Sequence, residues 1–266
     1  PGPVAKAITA GKLAKPATLM THGGRPRAIE SGELHIDVAF LAAPTADPWG
    51  NLNGTCGPSA CGYLSYAYAD AQYADTVVAI TDHLVSYPAC PVEISQEKVD
   101  YVLQVDSIGD PGGIVSGTTQ ITEDPVRLKI AADAAELIQC SGCFRDGMSF
   151  QTGASGTSLA VAAEVCRRMK KEGITGSFGL GGIHAYFVQM LEERLFHALL
   201  DAQCFDLDAV SSAARHTNHM AISASQYANP HNKGAVVNAL DVVVLGATEI
   251  DTDFNVNVIT GSNGII

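Results

Sequence analysis

The sequence predicts an α/β fold of mainly parallel sheets, and three observations carry that expectation. Short continuous runs rich in Val and Ile recur along the chain, Ala-rich stretches of helical character separate them, and turn residues bound them. Strands are expected over residues 38–43, 76–81, 101–105, 177–180 and 241–246, the last being the strongest run. Apolar runs of this kind suit a sheet covered by helices on both faces. Between them, residues 60–74 are rich in Ala and Tyr, and 125–139 carry apolar residues at helical spacing. Residues 158–172 end in Arg and Lys before Gly173, as expected of a helix whose C-terminal dipole is offset by cations and whose cap is left-handed. The segment 109–124, with Asp110-Pro111-Gly112-Gly113 and Ser116-Gly117-Thr118-Thr119, reads as a loop, and composition changes on either side of it. A domain boundary is therefore expected near residue 125.

The chain has 266 residues, 47% hydrophobic and 17% charged, and a mean hydropathy of +0.14. That composition supports a buried core and two domains, and it excludes a disordered chain. Sixteen Lys and Arg stand against 28 Asp and Glu, so a net charge of −12 repels a phosphate backbone, and no basic, aromatic-rich stretch offsets it. Nucleic acid is not an expected partner. No run of 18 apolar residues occurs and Pro1-Gly2-Pro3-Val4 lacks the character of a leader, so a soluble, cytoplasmic protein with no membrane partner is expected. The missing Met, and an end at Ile266 just after Gly261-Ser262-Asn263-Gly264, suggest a piece cut from a longer protein. The seven Cys form an odd, scattered set that reads as reduced thiols. Cys140-Ser141-Gly142-Cys143 has redox or metal spacing but no second pair, and buried free Cys commonly serves as a small hydrophobe.

Three glycine clusters stand out: Thr21-His22-Gly23-Gly24, Gln151-Thr152-Gly153-Ala154-Ser155-Gly156 and Gly179-Leu180-Gly181-Gly182. The third follows a strand-like run and precedes a helix-like one, so its N–H groups could face a carboxylate, a thioester oxygen or a phosphate at a helix N-terminus. Tight packing of helix on strand explains the same glycines. No cluster completes a P-loop or a dinucleotide fingerprint, which disfavours ATP and NAD. No G-x-S-x-G elbow occurs. His184, beside the third cluster, and His231, in Tyr227-Ala228-Asn229-Pro230-His231-Asn232-Lys233-Gly234, could each bind a carboxylate or move a proton, or simply hold structure by hydrogen bonds. No H-x-x-x-H spacing occurs, and no metal is expected. The segment 246–257 leaves the strongest strand and presents Glu249, Asp251 and Asp253. It could reach the crevice at the carboxyl ends of the strands, or form a solvated acidic turn.

Several strings resemble CoA-transferases of the acetate and 3-oxoacid type: Ile36-Asp37-Val38-Ala39-Phe40 leading to Ala46-Asp47-Pro48-Trp49-Gly50-Asn51-Leu52, then Ala71-Gln72-Tyr73-Ala74-Asp75-Thr76-Val77-Val78 and Val105-Asp106-Ser107-Ile108-Gly109-Asp110-Pro111. Gly246-Ala247-Thr248-Glu249-Ile250-Asp251 is similar to a second-domain segment that precedes G-x-V-N in those enzymes, a version replaced here by Asp253-Phe254-Asn255-Val256-Asn257. Within the superfamily the chain most resembles the citrate lyase α-subunit family, through Ser149-Phe150-Gln151-Thr152-Gly153, Gln203-Cys204-Phe205-Asp206-Leu207, Tyr227-Ala228-Asn229-Pro230-His231-Asn232, Gly234-Ala235-Val236-Val237-Asn238 and the segment 251–257.

The resemblance covers essentially the whole chain and matches the middle of a subunit about twice as long. It implies two related open-sheet domains of the CoA-transferase type, residues 1–125 being the C-terminal part of the first and 126–266 most of the second. It implies an enzyme that transfers an acyl-carrier thiol from an acetyl thioester to citrate. The implied partners are a lyase β subunit and an acyl-carrier γ subunit, with a homo-oligomer expected. No cofactor is implied on this chain; the substrate is acetyl-carrier with a phosphoribosyl-dephospho-CoA arm, or acetyl-CoA. Many relatives trap the thiol on a Glu in strings such as H-S-E-N-G, but the matching Gly181-Gly182-Ile183-His184-Ala185-Tyr186-Phe187 has none. Direct attack by citrate, through a mixed anhydride, is then implied. Gly181, Gly182, His184 and Tyr186 are the expected catalytic residues, with Glu249 a lower-ranked nucleophile. Gln151, Thr152, Gly153, Asn229, His231 and Asn232 are the expected thioester and substrate contacts. A covalent-Glu CoA-transferase, a citramalate lyase α subunit and a non-catalytic protein binding acyl-CoA or sugar phosphate are the alternatives.

Overall fold

The computed structural model describes residues 3–114 and 120–258, and its contacts divide the chain into two compact units. The smaller begins with helix α1 (Pro3–Thr9). The larger, His22–Val244, contains two parallel sheets. Helix α2 (Gly24–Glu30) leads to β1 (Val38–Ala42), then to an antiparallel ribbon of β2 (Thr45–Ala46) and β3 (Leu52–Asn53). Helix α3 (Ala67–Tyr73), β4 (Thr76–Thr81) and β5 (Tyr101–Gln104) follow, and β1, β4 and β5 pair in that order, all parallel.

The second sheet follows helix α4 (Pro125–Cys140). It runs through β6 (Ser149–Thr152), α5 (Gly156–Glu172), β7 (Gly176–Ile183), α6 (Ala185–Glu192), β8 (Phe196–Cys204), α7 (Leu207–Arg215), β9 (His219–Ala221), α8 (Ala224–Ala228) and β10 (Val242–Val244). The five strands are parallel in the order β10-β6-β7-β8-β9. A hairpin of β11 (Glu249–Ile250) and β12 (Val256–Asn257) belongs to the smaller unit. No helix among the described residues is long and apolar enough to cross a membrane.

Local chemistry sets these boundaries. Asp124 accepts from Val126 N at 2.9 Å and Pro125 opens α4, where a missing N–H costs nothing. Ser155 caps α5, which ends with Lys170 and Lys171 before Gly173 at φ 69°, as its sequence predicts. Over 60–74 only the last part is helical, because Gly62 takes a left-handed backbone at φ 92° and residues before Ala67 turn. The run 241–246 yields only β10, an edge strand with Val243 51% exposed rather than a fully buried one. The first sheet likewise departs from two-faced burial: β1 alternates, leaving Phe40 69% exposed, and Tyr101 and Leu103 of β5 are also exposed. Branched-chain content reports strand propensity and says nothing about which face a helix will cover. Ser116-Gly117-Thr118-Thr119, Pro1-Gly2 and Gly261-Ser262-Asn263-Gly264 lie outside the described residues.

The core of the second sheet is aromatic, with Phe187 6.0 Å from Phe150 and 6.2 Å from Phe196 by ring centroids, packed with Met148, Met169 and Leu199. Each such side chain stabilises by about 1.5–3 kcal/mol when fully buried. Leu41, Leu52, Val77 and Ile94 fill the core of the first sheet. The string Ala46-Asp47-Pro48-Trp49-Gly50-Asn51 proves to be a turn organised by buried Asp47. Its carboxylate accepts from the backbone N–H groups of Ala89, Asn51 and Trp49 and from Asn51 Nδ2. Burial alone would raise its pKa, but these donors hold it below the usual carboxylate range.

One carboxylate serves two helices. Asp206 Oδ1 accepts from Ala209 N at 2.8 Å, capping α7, and Oδ2 accepts from Ala185 N at 2.7 Å at the start of α6. Asp206→Ala is expected to lower the urea-unfolding free energy by roughly 2–4 kcal/mol, two caps' worth, whereas Asp208→Ala should stay within about 0.5 kcal/mol. Equal effects of the two substitutions would refute the double-cap assignment.

Candidate functional site

In a parallel sheet all strands point their carboxyl ends to one edge, where ligands of open α/β sheets bind. At that edge β6 ends at Thr152, β7 at Ile183 and β8 at Cys204. The glycines 179–182 lie inside β7 rather than in a loop after it, with a bulge between Gly181 and Gly182. Pairing with β6 stops at Leu180. The two readings of the cluster divide between its members. A Cβ on Gly179 would lie 2.7 Å from the Phe187 ring, and one on Gly182 would lie 2.0 Å from the Phe205 ring, so both are packing glycines. Gly181 has φ 104° and faces the Gln151 side chain, a backbone that a larger residue would strain.

Directly beyond the strand stands His184, 1% exposed and flanked by the rings of Phe187 at 5.0 Å and Tyr186 at 6.1 Å. Neither ring nitrogen has a hydrogen-bond partner among the described residues. Desolvation pushes its pKa down to about 4, so the imidazole is neutral near pH 7. A neutral imidazole offers one donor and one acceptor, and leaving such groups buried and unpaired costs roughly 1–3 kcal/mol each.

Gln151 Nε2 donates to the Tyr227 hydroxyl at 2.6 Å. The Tyr227 ring lies 6.2 Å from His22, whose Nδ1 is 2.7 Å from the Tyr66 hydroxyl. Tyr66 in turn lines a cleft of about 610 Å³, together with Tyr63, Ala154, Gln203, Cys204 and Phe205. Burial pushes Tyr66 up to about 12 and raises Tyr63 as well, so both hydroxyls stay protonated. Near the same loop, burial pushes Glu93 up to about 7 although it accepts from Leu64 N and Gly54 N.

The remaining expected contacts are spent on structure. Thr152 Oγ1 donates to Gly153 O at 2.7 Å, and Gly153 N donates to Val244 O at 2.9 Å. Asn229 Nδ2 donates to Glu30 Oε2 and Ser225 Oγ, and its Oδ1 accepts from His231 N. Asn232 Nδ2 also reaches Ser225 Oγ, at 3.3 Å, so this segment fastens α8 to α2. His231 is exposed. Glu249 belongs to the smaller unit, where it is exposed and accepts from Asn257 Nδ2 at 3.1 Å. Gln151 and Gly181 therefore meet, as do His184 and Tyr186, while Asn229, His231 and Asn232 form a separate turn. Sequence reasoning missed Tyr63, Tyr66, Glu93, Asp201 and His219. Only Asp201, a polar residue directly after the apolar Ala198-Leu199-Leu200, gave a local signal for any of them.

Because the folded chain holds His184 neutral below the ordinary pKa of 6.5, it binds fewer protons than the unfolded chain there, and stability falls as pH drops from 6.5 toward about 4. Glu93 acts with the opposite sign, its contribution being lost as pH rises through about 7. A wild type versus His184→Phe comparison cancels Glu93 and isolates the imidazole. Urea unfolding at pH 6.5, 5.5 and 4.5 should show the variant losing less stability with acid; parallel curves would refute a neutral, buried His184.

The family model for the citrate lyase α subunit matches residues 1–266. Curated citrate lyase α chains of Haemophilus influenzae and Klebsiella pneumoniae are 50% and 49% identical over 265 residues, covering 100% of this chain and 53% and 52% of theirs. The chain thus spans about half the length of the curated relatives it matches. The crystal structure of the putative citrate lyase α subunit of Streptococcus mutans, in complex with citrate, superposes with a TM-score of 0.95 at 49% identity over 99% of this chain and 52% of that one. A malonate decarboxylase α subunit from Acinetobacter baumannii gives a TM-score of 0.66 at 16% identity over 98% of this chain and 48% of that one, a likeness of fold alone.

Proposed function

The chain belongs to the citrate lyase α-subunit family, and from that premise we propose that it takes part in transferring an acyl-carrier thiol from an acetyl thioester to citrate, giving citryl thioester and acetate. The observation that carries the reading is His184: a neutral, buried imidazole, both nitrogens unpartnered among the described residues, directly after the glycine-rich β7. The citrate held by the Streptococcus mutans relative supports the choice of acid.

In the proposed sequence a citrate carboxylate oxygen attacks the acetyl carbonyl carbon, and the C–S bond breaks to release the carrier thiolate. That thiolate attacks the citryl carbonyl of the mixed anhydride, and acetate leaves. No proton is gained or lost overall. A neutral His184 can donate a hydrogen bond to the developing oxyanion without surrendering its proton, and a fixed donor of this kind in a dry site is worth roughly 10²–10³ in rate. Tyr186 packs its ring edge against His184 and positions it. Gly181 lets the chain turn without a side chain, and Gln151, Thr152 and Gly153 shape the neighbouring strand end. Asn229, His231 and Asn232 hold the α8 turn that places Tyr227 on Gln151.

The wider proposal follows the family. The acyl donor is a carrier with a phosphoribosyl-dephospho-CoA arm, or acetyl-CoA; a lyase β subunit and a carrier γ subunit are the partners; the complex is cytoplasmic and homo-oligomeric in this chain. The division near residue 125 separates two CoA-transferase halves, 1–125 and 126–266.

Citrate-dependent exchange of labelled acetate into acetyl-CoA, measured on the full-length subunit, tests this. His184→Gln should lower the turnover by roughly 10²–10³ with little change in KM, and Glu249→Gln should leave exchange essentially unchanged. Loss of exchange in a folded Glu249→Gln protein would favour a covalent carboxylate intermediate. Thioester binding without exchange in the wild type would reduce the role to binding.

A further inference from the structure

Beside the cleft lies a group of residues that the transfer reaction leaves unused. Asp201 lies in the C-terminal half of β8, Cys204 ends that strand, and His219 opens the neighbouring β9. All three are buried, at 0, 4 and 2% exposure. Asp201 Oδ2 is 3.0 Å from Cys204 Sγ and 3.1 Å from His219 Nε2, and the donor atoms all lie within 4.8 Å of one another. We propose that Asp201, Cys204 and His219 form a binding site for a zinc-class divalent cation in the wall of the cleft.

Charge supplies the first argument. Asp201 is fully buried, and among the described residues its ion-pair partner is His219, with no Lys or Arg within reach. Buried carboxylates are ordinarily paired or bound to metal, and a divalent ion would neutralise this one together with the thiolate it creates. The donor set is the second argument. One imidazole nitrogen, one carboxylate oxygen and one sulfur suit a borderline-soft ion such as zinc and are poorly matched to magnesium or calcium. A tetrahedral ion with bonds of about 2.0–2.3 Å has donor edges of roughly 3.3–3.8 Å, so the two edges from Asp201 Oδ2, at 3.0 and 3.1 Å, need to open by only about half an ångström or less.

The surroundings supply the third. His219 Nδ1 lies 2.9 Å from Ser212 Oγ, which is itself 2.9 Å from His216 Nδ1, so the ring is held in orientation from behind. Gln203 N donates to Asp201 Oδ1 at 2.6 Å, and the Tyr63 backbone N–H lies against the Cys204 sulfur, although burial and the Asp201 carboxylate push that thiol up and keep it protonated until an ion displaces the proton. Gly62, at φ 92°, permits that approach: a Cβ there would lie 2.4 Å from Sγ. Cys204 and Tyr63 both line the cleft, which gives an entry path and a source for the fourth ligand, water or an anionic oxygen. On binding, the Cys204 proton leaves to solvent and the imidazole proton resides on Nδ1, toward Ser212. Sequence spacing indicated no metal because the third donor comes from the next strand. The other trio with suitable atoms among the described residues, His35, Asp37 and Asp75, is exposed to solvent.

The test loads the chelator-treated, full-length subunit with Co²⁺ and Zn²⁺. One Co²⁺ per chain should bind with a thiolate-to-cobalt charge-transfer band in the near ultraviolet. X-ray absorption of the Zn²⁺ form should show one sulfur at about 2.3 Å and nitrogen or oxygen donors at about 2.0–2.1 Å. Cys204→Ser should abolish the band, Ser212→Ala should weaken binding by roughly 10–100-fold, and His35→Gln should change nothing. No saturable binding, a zinc shell without sulfur in the wild type, or a charge-transfer band retained in Cys204→Ser would each overturn the proposal. The wild-type absorption measurement decides the matter even if a variant fails to fold.

Discussion

The second sheet depends on a middle strand, β7, in which four of the eight residues are glycine. Gly176, Gly179 and Gly182 of β7 each occupy a place where a Cβ would strike an aromatic ring, of Phe196, Phe187 and Phe205 respectively. Glycine in a strand is entropically costly, and the compensation is burial: Phe187 and Phe196 pack directly on the backbone and fill the core with Phe150. The same thinness brings α6 against the sheet, so His184 at its N-terminus becomes dehydrated. Packing of rings on glycine thus creates the environment that sets the state of the candidate catalytic imidazole.

Buried polar groups in this protein separate into those settled by backbone N–H groups and those left unpaired or without a basic side chain opposite. Asp47 and Asp206 are saturated by backbone N–H groups and organise a turn and two helix starts. Asn229 is likewise occupied with Glu30, Ser225 and His231 N. Among the described residues His184 has no hydrogen-bond partner, and Asp201, although it accepts from Gln203 N, a thiol and an imidazole, has no Lys or Arg to balance its charge. The imbalance at those two places singles them out, since a fold gains nothing from unsatisfied or uncompensated polarity.

The elements set by local chemistry were legible. The α5 end with Lys170, Lys171 and Gly173, the start of α4 at Pro125, and the strands around residues 38–42, 76–81 and 101–104 follow from capping, dipole and β-propensity, all carried by near neighbours. Exposure was not legible: β10 reads as the most buried strand and lies at an edge, and Phe40 reads as core and faces outward. Of the candidate site, His184 and Gly181 could be named from their place at the end of a strand-like, glycine-rich run. The Gln151 to Tyr227 hydrogen bond joins residues 76 positions apart and could not.

The amino-acid order therefore decided the α/β class, the main helices and the family, because those rest on periodicity, caps and strings of adjacent residues. Tertiary structure alone decided which glycines pack and which one turns, that Asn229 serves structure while His184 stands unpaired, and that Asp201, Cys204 and His219 converge. Those outcomes depend on which strands become neighbours and what they exclude from water, and such contacts act across separations that no local pattern records.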